Sequence, residues 1–290
     1  MATLSEAQAS AALTLTTAFK TKQNRDAARI AALIALYYQK RVNVEDMQSV
    51  EAWLDLIVPR LIATSDLGAR DAANFYSGLR RLEVPGAEAF DARAALGMVD
   101  DGVRKSLLAV GPYDYMNKAS SIREMDRSPL QTKALLVEAK LATTKALTAA
   151  AVRHAQAGGR QTIYTASEED RVALGWVRVT RAKPCHFCAM LASRGLQYRA
   201  FKEGAFDLSN ARFTGDGDAK VHDECGCCLK AVFAENDPVV AKNEVFTDLW
   251  ERWGAGGGDA MVRFRRGYDK WLKTGEYISW DKANEGLRAA

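Results

Sequence analysis

Two short cysteine clusters hold the residues of this chain best suited to chemistry. Pro184-Cys185-His186-Phe187-Cys188 opens a segment that closes with His222-Asp223-Glu224-Cys225-Gly226-Cys227-Cys228. All five cysteines of the 290-residue chain, and two of its three histidines, lie in these clusters. A C-x-x-C turn offers two thiolates to one ion, and the H-x-x-C of His222 and Cys225 has the same span and could close a tetrahedral site from the other side. Cys227, Leu229, Ala231 and Phe233 alternate as one face of a short strand. If the extended pattern reaches back to Cys225, Cys228 points away and is the spare. Cys185, Cys188, His222, Cys225 and Cys227 therefore remain as candidate ligands, one more than a tetrahedral zinc takes. Two matching bites favour Cys185, Cys188, His222 and Cys225, with Cys227 as the substitute. The competing reading is a set of small buried thiols, with or without a disulfide formed after release from the cell.

Enzymatic readings fit less well. Zinc-dependent nucleobase deaminases carry H-x-E ahead of P-C-x-x-C, whereas His154, the histidine upstream of Pro184, is followed by Ala155-Gln156. H-E-x-x-H, G-x-S-x-G and the phosphate-cradling G-x-x-x-x-G-K-[ST] are all missing from the sequence. Glu224 could serve as a base on metal-bound water, but a site closed by thiolates leaves that water no open position. The expectation is a structural zinc, no catalysis and no small-molecule substrate.

The run Gly175-Trp176-Val177-Arg178-Val179, followed by Pro184-Cys185-His186-Phe187-Cys188-Ala189-Met190-Leu191-Ala192-Ser193-Arg194-Gly195, resembles the MuF-like minor head proteins of tailed phages, most closely their actinobacterial-phage branch. The His222-Asp223-Glu224-Cys225-Gly226-Cys227 cluster is similar to that family's H-x-x-C-x-C. The likeness covers roughly residues 170–235, more loosely the helical N-terminal half and residues 250–266. Cys228 is an extra cysteine, and Ala231 replaces the usual proline. The resemblance implies a structural protein of head morphogenesis acting at or near the portal vertex. Its partners would be the portal and other head proteins, and its location the virion after assembly in the host cytoplasm.

The elements that must position the clusters follow from periodicity. Residues 4–155 read as helix almost throughout, interrupted at Pro59, Pro85, Pro112 and Pro129. Ser5 with Gln8 forms a capping box, and Ser128-Pro129 starts a helix running to about residue 155. Ile30, Leu33, Ile34, Tyr37 and Tyr38 recur at helical spacing, as do Trp53, Leu54, Ile57, Val58 and Leu61, with Pro59 a kink or break. Leu82-Glu83-Val84-Pro85-Gly86 and Gly111-Pro112-Tyr113-Asp114-Tyr115 read as turns. Ala157-Gly158-Gly159-Arg160 marks a boundary. Beyond it, strand periodicity over Trp176 to Thr180 leads into the first cluster, and a short helix over 189–194 stops at Gly195. Residues 202–221 read as a loop, with Asp216-Gly217-Asp218 a turn that lacks the other ligands of a calcium loop.

The predicted fold is mainly α with a small, metal-stapled α+β unit: a helical region 1–157 for assembly and portal docking, a MuF-like unit 158–240, and a helical tail 241–290. In that tail, Arg263, Arg265 and Arg266 interleave with aromatics, a pattern that nucleic acid such as packaged DNA could meet. Met261, Phe264, Tyr268, Trp271 and Leu272 sit at helical spacing, which favours a core face with solvated arginines. A net charge of +4 from 40 basic and 36 acidic residues does not argue for nucleic acid by itself. The longest apolar run, residues 30–38, is too short to span a bilayer, and the N-terminus lacks the basic and apolar segments of a secretory signal.

Overall fold

The computed structural model describes residues 3–198, 226–254 and 259–275. Two long helices run through the molecule: α1 (Glu6–Arg41) and α2 (Met47–Glu83). They are followed by α3 (Asp100–Leu108), α4 (Asp114–Arg123), α5 (Pro129–Ala155) and α6 (Ala157–Glu169). Strands β1 (Gly175–Val179), β2 (Gln197–Tyr198) and β3 (Cys228–Val232) form an antiparallel sheet of order β2-β1-β3, with Val177 opposite Lys230. Helix α7 (His186–Ala192) lies between β1 and β2, and α8 (Pro238–Trp253) and α9 (Ala260–Thr274) follow the sheet. The fold is therefore mainly helical with a small sheet.

The helix starts follow the sequence. Ser5 and Gln8 cap α1 reciprocally, and Ser128 and Gln131 do the same for α5, satisfying amides that the first turn leaves without partners. Helix α2 runs through Pro59 without ending. Leu54, Ile57, Val58 and Leu61 around it are fully buried, and that tertiary packing outweighs the lost hydrogen bond.

Three expectations are corrected. Residues 87–99 are not helical. Gly86, at φ 84°, turns the chain out of α2, and side chains of neighbouring helices then satisfy its backbone: the Ala95 amide donates to Thr162 Oγ1 at 2.9 Å and the Gly97 amide to Asp66 Oδ1 at 3.1 Å. The expected turn at Gly111-Pro112 is instead a π-helical segment, Ala109–Tyr113, joining α3 to α4. Gly111 lies so close to α5 that a Cβ there would come within 2.7 Å of Leu147, and the wider turn also accommodates a residue without an amide donor. The long helix α5 does end at Ala155, but Ala157-Gly158-Gly159-Arg160 at the expected boundary is itself the first turn of α6. The Gly158 amide donates to Ser65 Oγ of α2 at 2.9 Å. A Cβ on Gly159 would meet the Gln23 side chain of α1 at 2.4 Å, so these glycines serve close helix approach rather than chain termination.

Three larger apolar cores form among the described residues. One fills the bundle of α1 to α5 around Ile34, Tyr38, Leu54, Ile57 and Leu147. A second joins α1, α2 and α6 to β1 and β3, with Phe19 stacked on Phe75 at 4.3 Å and Tyr76 edge-on to Phe233. A third joins α7, α8 and α9 through Leu191, Phe246, Leu249, Phe264 and Tyr268. The start of the chain is tied to the sheet end as well: Leu4 N–H donates to Asn236 Oδ1 at 2.8 Å, and Asn236 Nδ2 donates back to Leu4 O at 3.0 Å.

Candidate metal centre

The first cysteine cluster sits where β1 gives way to α7. Cys185 is the N-cap of α7, and its Sγ accepts the Cys188 amide at 3.4 Å, the place more often taken by Ser, Thr or Asp. That geometry leaves Cys185 exposed and turns Cys188 inward. The buried Cys188 side chain packs against Cys227, which immediately precedes β3. The structure thus joins one residue from each cluster. Cys228 goes elsewhere, into the core formed by α1, α2, α6 and the sheet. Burial pushes its thiol up to about 12 against the pull of nearby Lys20 and Arg160, so it stays protonated at neutral pH.

Residues outside the two clusters hold this junction, a role that the sequence reading did not assign to them. The buried Arg160 of α6 donates from Nε to Cys227 O at 3.1 Å and from Nη2 to Gln156 Oε1, which fixes the backbone ahead of β3. The Arg181 guanidinium lies against Gly226, where a Cβ would fall 2.4 Å from Nη2, so the residue between Cys225 and Cys227 must be small. Tyr268 of α9 donates to Pro184 O at 2.6 Å. Burial, and then the charges that Cys185 and Cys188 can carry, push its hydroxyl up. Cys227 acts on it in the same direction, so all three thiols lie within electrostatic reach of one group.

His222 and Cys225 lie outside the described residues, as do the 202–221 loop and Asp216-Gly217-Asp218. Among the described residues, no group of three or more His, Cys, Asp or Glu side chains is arranged to hold a metal ion. What is brought together is a partial thiol set: Cys188 on Cys227, with Cys185 one helical turn away. Thiolates are the ligand type that zinc favours, and none of the described cysteines is in a disulfide.

The sheet beside this junction contains a second polar cluster that local pattern did not disclose. Lys230, in the middle of β3, is fully buried. Its Nζ donates to Glu83 Oε1 of α2 at 2.8 Å and to Asp237, which caps α8 through the Val239 amide at 2.8 Å. Burial raises the Glu83 carboxyl above its ordinary range, opposed by the Lys230 charge. Nearby, Arg80 Nε donates to Asp170 Oδ2 at 2.6 Å, and Tyr76 Oη donates to the same oxygen at 3.1 Å.

On α9, Phe264 and Tyr268 face the core. Arg265 and Arg266 are exposed, while Arg263 is half-buried with its Nε directed at Trp253 O, 3.4 Å away. His154 is buried in the last turn of α5. No helix among the described residues is long and apolar enough to cross a membrane.

Comparison with known proteins places the chain. The Gene 15 protein of Mycobacterium phage D29 is 31% identical over 131 residues, covering 38% of this chain and 47% of that protein. The match thus spans about half of that relative's length. No solved structure matches. A family profile described as VG15 protein matches residues 6–252, most of the described fold from the first turn of α1 to the end of α8. On that match the chain belongs to the VG15 protein family, a family of phage proteins.

Proposed function

We propose that this chain is a structural protein of the phage head, of MuF-like type, that acts at or near the portal vertex during assembly in the host cytoplasm and stays in the virion without catalytic turnover. The observation that carries this reading is the meeting of Cys188 and Cys227 across the two cysteine clusters, on the residues that resemble the MuF-like proteins. Cys185, Cys188 and Cys227, with His222 or Cys225, would hold one structural zinc. A zinc there would supply a cross-link between α7 and the start of β3. The family match and the D29 relative support the phage setting.

The far end of the helical bundle is the surface that suits a portal partner. Leu130, Val137 and Leu141 of α5 are 79%, 54% and 54% exposed. They recur at helical spacing, with Val137 and Leu141 beside a hollow that also involves Tyr115 and Leu136. Monomers seldom leave such a stripe uncovered, and a helical partner groove would take it by its apolar face. Co-expression with the portal protein tests this directly. The intact chain should co-purify with the portal ring, and a Leu130→Glu, Val137→Glu, Leu141→Glu variant should lose it while remaining folded. Equal capture of the triple variant would contradict docking through α5.

A second reading, a zinc-stapled module that handles packaged DNA, draws on the exposed Arg265 and Arg266 of α9, the helix that packs on α7. Reversal of these two charges would then abolish DNA retention but leave portal capture intact.

A further inference from the structure

A cavity of about 380 Å³ opens between α1, the chain just beyond β1, and the start of α8. Three cations from three separate segments line it: Lys20, Arg181 and Lys242. Neither Asp nor Glu is among the described residues of its wall, and none of the three cations makes a salt bridge with another described residue. This departs from the rest of the sheet end, where Arg80 faces Asp170 and Lys230 faces Glu83 and Asp237. Two of the three are also held in place: Lys20 Nζ donates to Thr180 O, and the Arg181 guanidinium lies against Gly226. Thr17 and Thr21 add hydroxyls to the same wall.

Three like charges lining one hollow repel each other, and an anion seated among them would offset that repulsion. A carboxylate presents two oxygens and one charge, whereas a phosphate presents more oxygens and more charge to donors arriving from several sides. We propose that this cavity binds a phosphate-bearing anion through Lys20, Arg181 and Lys242. The site goes beyond the head-assembly reading and does not depend on it: none of its three cations belongs to the α5 stripe or to the candidate ligand set, although Arg181 also borders that set at Gly226.

Calorimetric titration of the full-length protein tests the site with two probes, inorganic phosphate and a short single-stranded oligonucleotide, at about 0.15 M salt, where exposed charges further apart than the screening length contribute little. Saturable binding of at least one probe is expected. Lys242→Glu, on the exposed face of α8, should weaken it by about tenfold or more, equivalent to ~1.4 kcal/mol, while Lys242→Arg should retain it with an unchanged unfolding midpoint. If the oligonucleotide binds and phosphate competes with it, the natural source is a nucleic-acid backbone. If phosphate alone binds, the source is a free phosphate. Failure of both probes to saturate, or binding by Lys242→Glu equal to the parent's, overturns the proposal.

Discussion

The two ends of the molecule are stabilised by different physics, although α2 runs through both. In the bundle, its N-terminal half buries Trp53, Leu54, Ile57, Val58 and Leu61 among aliphatic and aromatic neighbours from α1, α3 and α5. Toward the sheet, the same helix presents Arg80 and Glu83 to buried partners, and Arg160 and Lys230 are likewise taken out of water. An apolar core loses stability in proportion to the volume removed and tolerates rearrangement. A buried ionic cluster behaves otherwise, because loss of one member leaves the others charged and without a partner. The bundle is therefore expected to degrade gradually under substitution and the sheet end abruptly.

The largest predicted effect lies at the cysteine junction, since structural zinc contributes on the order of 10 kcal/mol in small zinc-binding units. Cys188→Ser should remove about one equivalent of zinc, the content of a single tetrahedral site, and expose the junction of α7 and β3 to proteolysis. Cys228→Ser should keep the metal, because that side chain lies in the other core. Equal metal loss in both variants, or no zinc in the parent protein made under reducing conditions, would remove the proposed staple from the account.

Next in size is Lys230→Met. It leaves Glu83 and Asp237 buried without their cation and should cost about 3–5 kcal/mol in urea unfolding. Adding Glu83→Gln should recover part of that loss, since one stranded carboxylate is then gone. A cost below about 1 kcal/mol, the scale of an exposed ion pair, would erase the contrast between the two ends.

The smallest effect is confined to alkaline pH and to the bundle. Burial raises Tyr38 to about 12, against a hydrogen bond from the Thr143 pair at 3.4 Å that pulls the other way. An unfolded chain ionises tyrosine near pH 10. The folded state therefore holds the extra proton between those values, and stability is intact below about pH 10 and falls as pH rises toward 12. Tyr38→Phe should flatten that fall relative to the parent, with little difference at neutral pH. Identical alkaline slopes for the two proteins would show that Tyr38 is not the group responsible.

Features set by near neighbours in sequence could be read without a structure. The Ser5 and Ser128 caps, β1 and the inward Phe264 and Tyr268 of α9 all follow from residues within a turn or two of one another. Features set by distant partners could not. Lys230 looks like a solvated position in a short strand, yet its carboxylate partner Glu83 lies 147 residues earlier. Gly158 and Gly159 look like a helix stop, but are small because Ser65 and Gln23 approach them from other helices. At the candidate site, the cysteine spacing suggested that the two clusters meet. Of the groups that hold them there, Arg160 and Tyr268 had no local signal because they reach the junction from α6 and α9, and Arg181, just ahead of Cys185, meets Gly226 of the distant second cluster.

The central claim is that this chain is a component of the assembled phage head. Quantitative mass spectrometry of gradient-purified virions tests it most directly, with the infected-cell lysate measured alongside. The account predicts peptides spanning residues 6–252 in the particles, at a constant low ratio to the portal protein in independent preparations. Abundant chain in the lysate with none in purified virions would contradict it.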